Sequence, residues 1–492
     1  MKIIIIGAGI SGLSNALLLK KHLSPILAAT SSPLTIHIYE SHAPRAANAP
    51  LDSNDITLAD LSSSTALVGG GLGVGPNGMR ALRFISESLY ERVKAQGWVV
   101  KRFVFKSAYG WRLSSVSCAD REGKDAKDAE YTVSSSRHGI WAALRDEVDD
   151  GASVTYRKVV EVKPGEEGGR GPRVVFEDGE EEEADLVIGA DGIRSVVRKA
   201  IAKARGEEEG DAAKRWSPNY VGLIGVGGFL DQPPSEDTAR DESMTFVFGP
   251  QGFFGYGAAA KDKLMWWSTC ESPDEPDRSV VHMDDLEAKT RHVHQKWTDP
   301  VVQEILGQVK IDTVYPTWTI DELPTWGENG LIIVGDAAHA LQPTSGQGSS
   351  QALEDAKCLS LLLAHYIEEA VKKGQTDFGD AIHKSSKALY EIRNPVTTQI
   401  ATHANRMAMK KKQMSKFEEY MLYFMIWCMG KLEFIGKSLI ARLYFGALRS
   451  ADRLLTGINF LSHAQKQLWM WDGEKEVNEY IKRERVKTAE AS

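Results

Sequence analysis

The chain opens on Ile3-Ile-Ile-Ile6, followed at once by Gly7-Ala-Gly9-Ile-Ser-Gly12. Four consecutive β-branched apolar residues read as a strand buried on both faces of a parallel sheet. The stretch Leu13–Lys20 then reads as a helix. Strand, glycine turn and helix N-terminus is the order that holds a dinucleotide pyrophosphate, because the first helical N–H groups point at the anion. Gly7 permits the turn, Gly9 lets backbone approach the phosphates, and Gly12 lets the helix close on the strand. A second strand, Leu34–Glu40, ends in an acid. A carboxylate at Glu40 accepts a ribose 2′-hydroxyl and repels a 2′-phosphate, so the turn suits FAD or NAD better than NADP.

Composition narrows the function classes. A chain of 492 residues with 42% hydrophobic and 26% charged residues is an ordinary multi-domain globular protein. A net charge of −8 gives no general reason to expect a nucleic-acid partner. Cys118, Cys270, Cys358 and Cys428 lie far apart, with no metal-binding spacing and no disulfide framework. They point to a reducing compartment and a cytoplasmic location, and no metal is expected. The apolar N-terminus mimics a signal peptide, but cleavage near Lys20 would destroy the phosphate turn, so it reads as folded structure. No run reaches the roughly 18 apolar residues of a membrane span.

The expected architecture is α/β: a Rossmann-type FAD-binding domain, an inserted mixed β-sheet substrate domain and a helical C-terminal region. Residues 1–217 form the first part of the FAD-binding domain, with strands near 97–135 facing the substrate and a polar surface segment over 42–64. Residues 218–320 read as the inserted sheet, 321–375 as the return to the FAD-binding domain, and 376–492 as helices. The return ends a hydrophobic strand at Asp336, where a carboxylate at a sheet's carboxyl edge can hold ribityl or ribose hydroxyls. Gly346-Gln-Gly348 then opens a long helix whose positive end would favour the negative charge of a reduced flavin at its N1–C2=O edge.

Three segments, Gly7–Gly12, Asp191-Gly192, and Gly335-Asp336-Ala-Ala-His339 running on through Pro343 to Gly348, occur in this order. Together they resemble the single-component FAD-dependent aromatic hydroxylases, the para-hydroxybenzoate and salicylate hydroxylase superfamily, and within it the fungal secondary-metabolite monooxygenases. The resemblance covers roughly residues 1–375. It implies that Arg137 contacts FAD, that Gly70 lies near the ribityl chain and that Asp191 belongs to the flavin-side turn. It also implies the reaction: NAD(P)H as a transient co-substrate reduces the flavin, O₂ adds, and a C4a-hydroperoxide hydroxylates or epoxidises an aromatic or other electron-rich small molecule. By the same resemblance Arg198 and Tyr220 match an arginine and a tyrosine that face the substrate oxygen. A structural reading competes at several of these positions: a plain strand-ending turn at Asp191, a hydrogen-bonded structural histidine at His339, a surface Arg198 and a core Tyr220.

The substrate class stays open among aromatic, polyketide, alkaloid and prenylated molecules. A geranylgeranyl-type isoprenoid reductase and a non-catalytic prenyl-binding escort on the same fold are the alternatives. In the tail, ten apolar residues over 420–429 follow Lys410-Lys-Lys412. This 410–448 segment reads either as a membrane-surface contact, making the protein peripheral, or as a helix covering a cavity or a subunit interface. Oligomeric state is left undetermined.

Overall fold

The strand Lys2–Ile6 lies at the middle of a six-stranded sheet in the computed structural model, which describes residues 1–28, 30, 33–43, 70–121, 127–148, 154–166, 170–275, 283–408, 415–436 and 467–491. It pairs in parallel with Thr35–Glu40 on one side and Leu186–Gly189 on the other. Val154–Tyr156 extends the sheet beyond Thr35–Glu40, and Leu331–Ile333 extends it beyond Leu186–Gly189. Only Gly327–Glu328, at the edge, runs antiparallel. Ile3, Ile4 and Ile5 are fully buried. That is the burial expected of a strand covered by helices on both faces, and each isoleucine contributes about 1.5–3 kcal/mol. Helix Ile10–Leu27 follows the glycine turn and packs along the long helix Gly348–Lys372. The polar segment expected over 42–64 lies almost wholly outside the described residues.

A second, seven-stranded sheet takes five strands from the 218–320 region and two from ahead of it. Its order is Thr313–Thr319, Asn219–Leu230, Lys263–Glu271, Gly252–Ala260, Ser243–Gly249, Arg102–Ser107 and Arg112–Ser117. Arg102–Ser107 joins by parallel pairing with Ser243–Gly249, which makes this unit discontinuous in sequence. One face packs Val247, Phe254 and Trp266 against helices Met283–His294 and Pro300–Gly307. The other face meets the FAD-binding domain through the short antiparallel sheet of Gly71–Val74, Thr132–Ser136 and Trp98–Val100.

Helices Gly348–Lys372, Gly379–Ala408, Lys416–Gly436 and Gly473–Ala491 make up most of the remainder. Among the described residues no helix is long and apolar enough to cross a membrane. Lys416–Gly436 lies across the strand Arg112–Ser117 with Leu422, Tyr423 and Ile426 buried, while Phe417, Tyr420, Met421, Phe424 and Trp427 face outward.

Candidate functional site

The glycine turn is shaped by two close approaches. Gly7 adopts φ +100°, and a Cβ there would sit 2.4 Å from the Ala190 carbonyl oxygen. A Cβ on Gly12 would sit 1.9 Å from the Gly7 oxygen, so only glycine lets this helix start where it does. Gly9 is the extended N-cap residue of helix Ile10–Leu27, and no side chain caps that helix. Its first N–H groups are therefore available to an anion. The Ala8 N–H donates to Oε2 of Glu40 at 2.9 Å, and the Trp141 indole N–H donates to the Ala8 carbonyl at 2.7 Å. Glu40 thus sits against the turn, at the end of its strand, and is buried. Trp141 is a site residue with little mark in the sequence. Its only signal is an aromatic one turn into the helix that Arg137 begins.

Arg137 is the first residue of helix Arg137–Glu147, and its backbone N–H donates to the Gly70 carbonyl at 3.1 Å. A cation at a helix N-terminus is electrostatically disfavoured. Its guanidinium has no hydrogen-bond partner among the described residues, and burial lowers its pKa while Asp336 opposes that shift. The Asp336 carboxylate is itself exposed at the carboxyl edge of the sheet, at the start of the short helix Asp336–His339. An arginine, an uncommitted carboxylate and an uncapped helix N-terminus therefore converge beside the glycine turn. Gly346 has φ +59°, helix Gly348–Lys372 has no side-chain cap, and a Cβ on Gly348 would meet open space. The Ser349 hydroxyl lies 3.4 Å from the Gly73 carbonyl, placing this helix end against the strand that follows Gly70. These residues fit FAD: helix N–H groups and Arg137 for the pyrophosphate, Glu40 and Asp336 for hydroxyls, and the Gly348 helix end for the flavin carbonyl edge.

Asp191 serves first as a turn residue. Its Oδ2 accepts the Val196 N–H at 2.6 Å, capping helix Val196–Ala204, and the adjoining Ala190 is the residue that Gly7 abuts. Burial pushes its carboxyl pKa up, while bonds to Ser195 and the Val196 N–H oppose that shift. The expected substrate role of Arg198 requires correction. Arg198 is fully buried, and its Nε and one terminal nitrogen donate to the carbonyls of Trp216 and Ala337 at 2.9 Å each. Its remaining nitrogen donates to the Ile193 carbonyl. With every nitrogen committed to backbone, this guanidinium ties three separate segments together and is neither a surface group nor a substrate contact. The Tyr220 hydroxyl donates to the Ser272 carbonyl at 2.8 Å, and its ring packs on Trp318.

His339 has the structural role: its Nε2 lies 2.5 Å from Oδ2 of Asp355, and both groups are buried. The same Asp355 oxygen accepts the Gly335 N–H at 2.9 Å, while Oδ1 accepts from Arg393 at 2.8 Å. Burial raises the Asp355 pKa, yet His339 and Arg393 outweigh it and bring the carboxyl down to about 2. Asp355 therefore fixes the turn that presents Asp336. Its sequence signal is an acid set among the apolar positions Leu353, Ala356 and Leu359 of one helix.

Residues 126–389 match the family model described as FAD binding domain. The chain is similar to a salicylate hydroxylase of Pseudomonas putida, 26% identical over 385 residues that cover 74% of this chain and 76% of that protein. It is also similar to a chloroplastic zeaxanthin epoxidase of an Oncidium hybrid cultivar, 28% identical over 276 residues. That match covers 56% of this chain and only 38% of the epoxidase. Among solved structures, Klebsiella pneumoniae HpxO complexed with FAD and uric acid aligns with a TM-score of 0.62 at 18% identity. The alignment covers 86% of this chain and 92% of HpxO, which shows a shared fold.

Proposed function

We infer the reaction from the premise that this chain belongs to the FAD binding domain family: it is a FAD-dependent monooxygenase acting on a small organic substrate, with O₂ as co-substrate and NAD(P)H as reductant. The observation that carries this reading is the convergence of Arg137, Asp336 and the uncapped N-termini of helices Ile10–Leu27 and Gly348–Lys372 on one cradle. FAD, when bound, supplies the redox and oxygen chemistry. This chain supplies anchoring, orientation and exclusion of water. Helix N–H groups and Arg137 would hold the pyrophosphate, Glu40 and Asp336 would accept hydroxyls, and the positive end of helix Gly348–Lys372 would favour negative charge on the flavin. Arg198 and Asp355 are positioning residues that hold the turns carrying these groups.

The substrate belongs to the electron-rich class of aromatic, polyketide or alkaloid molecules, and the product is hydroxylated or epoxidised. The test is NAD(P)H oxidation by the purified holoenzyme under isotopically heavy dioxygen, with candidate substrates and mass analysis of products. One heavy oxygen atom per product is the expected result. Reduction of a substrate double bond under anaerobic conditions would instead establish the isoprenoid-reductase alternative. A protein that purifies without FAD, and does not take it up, would establish the escort.

The tail supports a peripheral attachment to an anionic membrane surface from the cytoplasm. Phe417, Tyr420, Met421, Phe424 and Trp427 recur at helical spacing on the outward side of Lys416–Gly436, with Lys416 and Lys431 exposed. Aromatic rings with flanking lysines are the composition of interfacial helices. Lys410–Lys412 and 437–448 of this segment lie outside the described residues. The double variant Phe424→Glu, Trp427→Glu is expected to lose at least tenfold in co-sedimentation with phosphatidylserine-containing vesicles while keeping bound FAD. Equal sedimentation of the variant, or no vesicle binding by the native chain, refutes the attachment.

A further inference from the structure

The seven-stranded sheet has two unlike faces. On the helix-covered face the aromatic rings of Phe254 and Trp266 are fully buried. On the opposite face Phe103, Phe105, Phe246, Trp267 and Tyr315 remain only half-buried. The pairing register lays out this second face in rows. One row runs Thr313, Gly227, Trp267, Gly255, Phe246, Phe105 and Ser114 across all seven strands. The neighbouring rows continue through Tyr315, Gly225 and Thr269 on one side, and through Met265, Gly257 and Met244 on the other. Through these rows the face carries glycines, aromatics, methionines and small hydroxyls, and no charged side chain.

The glycines shape this face. A Cβ on Gly255 would fall 2.2 Å from the Trp267 indole, and one on Gly225 would fall 1.9 Å from the Tyr315 ring. Both rings therefore lie down across a neighbouring glycine, presenting flat faces instead of standing off the sheet. Phe246 meets Trp267 edge-on, with ring centroids 5.8 Å apart and planes at 75°. One end of the wall touches the cofactor cradle directly, since Cβ atoms on Gly70 and Gly71 would lie 2.9 Å from Thr313 and 2.5 Å from Met265. The other end is closed by helix Lys416–Gly436, where Tyr423 donates to the Phe248 carbonyl at 2.9 Å and Gly430 abuts Ser114.

We propose that this face is the substrate wall, with Trp267 laid over Gly255 as its specificity-determining platform, and that it selects neutral, planar π-systems over aromatic carboxylates. The proposal rests on the reading of the cradle as a FAD site and deepens it by naming the substrate class. A carboxylate placed over the Trp267 and Phe246 rings gives up hydration without gaining a cationic partner from the rows named, the cation beside them being Lys263 over the Phe229 ring at the margin, and this costs it affinity. A neutral ring gains aromatic contact with Trp267 and Phe246. This separates the chain from its salicylate-hydroxylating relative, whose substrate by name is an aromatic acid.

The experiment is titration of the holoenzyme with 2-naphthol and with 1-hydroxy-2-naphthoate at neutral pH, followed by the absorbance change of the bound flavin. Naphthol is expected to bind at least tenfold more tightly than the naphthoate. Trp267→Ala is expected to weaken naphthol binding about tenfold while leaving FAD content and thermal midpoint near native. Gly255→Val, which forces the indole off its seat, should weaken naphthol binding similarly. Equal or tighter binding of the naphthoate, unchanged naphthol affinity in Trp267→Ala, or no spectral response to naphthol at millimolar concentration each overturns the proposal. The readout needs no turnover. A platform confirmed by binding in a protein that transfers no oxygen would sink the monooxygenase reading and leave the wall standing.

Discussion

Gly7→Ala is expected to yield a folded protein that purifies colourless and binds FAD at least a hundredfold more weakly, about 3 kcal/mol. The added methyl meets two obstacles. At φ +100° an L-residue is strained by about 1–2 kcal/mol. Its Cβ also falls 2.4 Å from the Ala190 carbonyl oxygen, and that backbone is held because the Ala190 N–H donates to the Ile6 carbonyl at 2.8 Å. The turn must move instead. Its N–H is bonded to the Tyr39 carbonyl at 2.8 Å, so movement at Gly7 displaces the groups that Glu40 and Trp141 hold. Gly179→Ala is the control: φ is +86° there, nothing lies within 4 Å of the new Cβ, and the strain is similar. It should cost some stability and leave FAD affinity native. Fluorescence titration of both variants, with circular dichroism to establish folding, decides the matter. Native FAD affinity in Gly7→Ala would remove the pyrophosphate from this turn.

The cradle was legible in the sequence because its chemistry is local. A glycine turn after Ile3–Ile6, an acid ending the second strand and an acid after Gly335 each announce themselves within a dozen residues. The structure then adds only their convergence. Arg137 and Gly70 came from resemblance, and the structure joins them by a main-chain bond. What stayed illegible depends on partners distant in sequence. Arg198 bonds a carbonyl 139 residues away, at Ala337. Asp355 serves a turn 20 residues before it and an arginine 38 residues after it. The Trp267 platform exists only because one pairing register sets it opposite Gly255. Strand periodicity names such residues without saying which rows they share. The entry of Arg102–Ser107 into the second sheet was hidden for the same reason, since a parallel crossover leaves no hairpin signature.

Arg198→Met is the test that separates a tie from a substrate contact. In the structure this guanidinium is a buried cation whose bonds all go to main-chain carbonyls of Ile193, Trp216 and Ala337. Burial lowers its pKa to about 10, so it stays charged at neutral pH. Methionine keeps much of the volume and removes every donor, leaving three carbonyls to find other partners. Breaking such a buried charge-assisted set costs about 3–5 kcal/mol, a thermal midpoint lower by about 3–5 °C in a chain of 492 residues. Because Ala337 follows Asp336, the loosened turn should also weaken FAD binding. Arg198→Lys restores one charge but not the three-way fork, so it should recover only part of the midpoint. A substrate-facing arginine would behave in the opposite way: Arg198→Met would melt at the native temperature with full FAD and a raised KM. That pattern would return Arg198 to the substrate. Loss of stability and of FAD together, with partial rescue by lysine, identifies the residue as the clamp that holds the flavin-side turns in register.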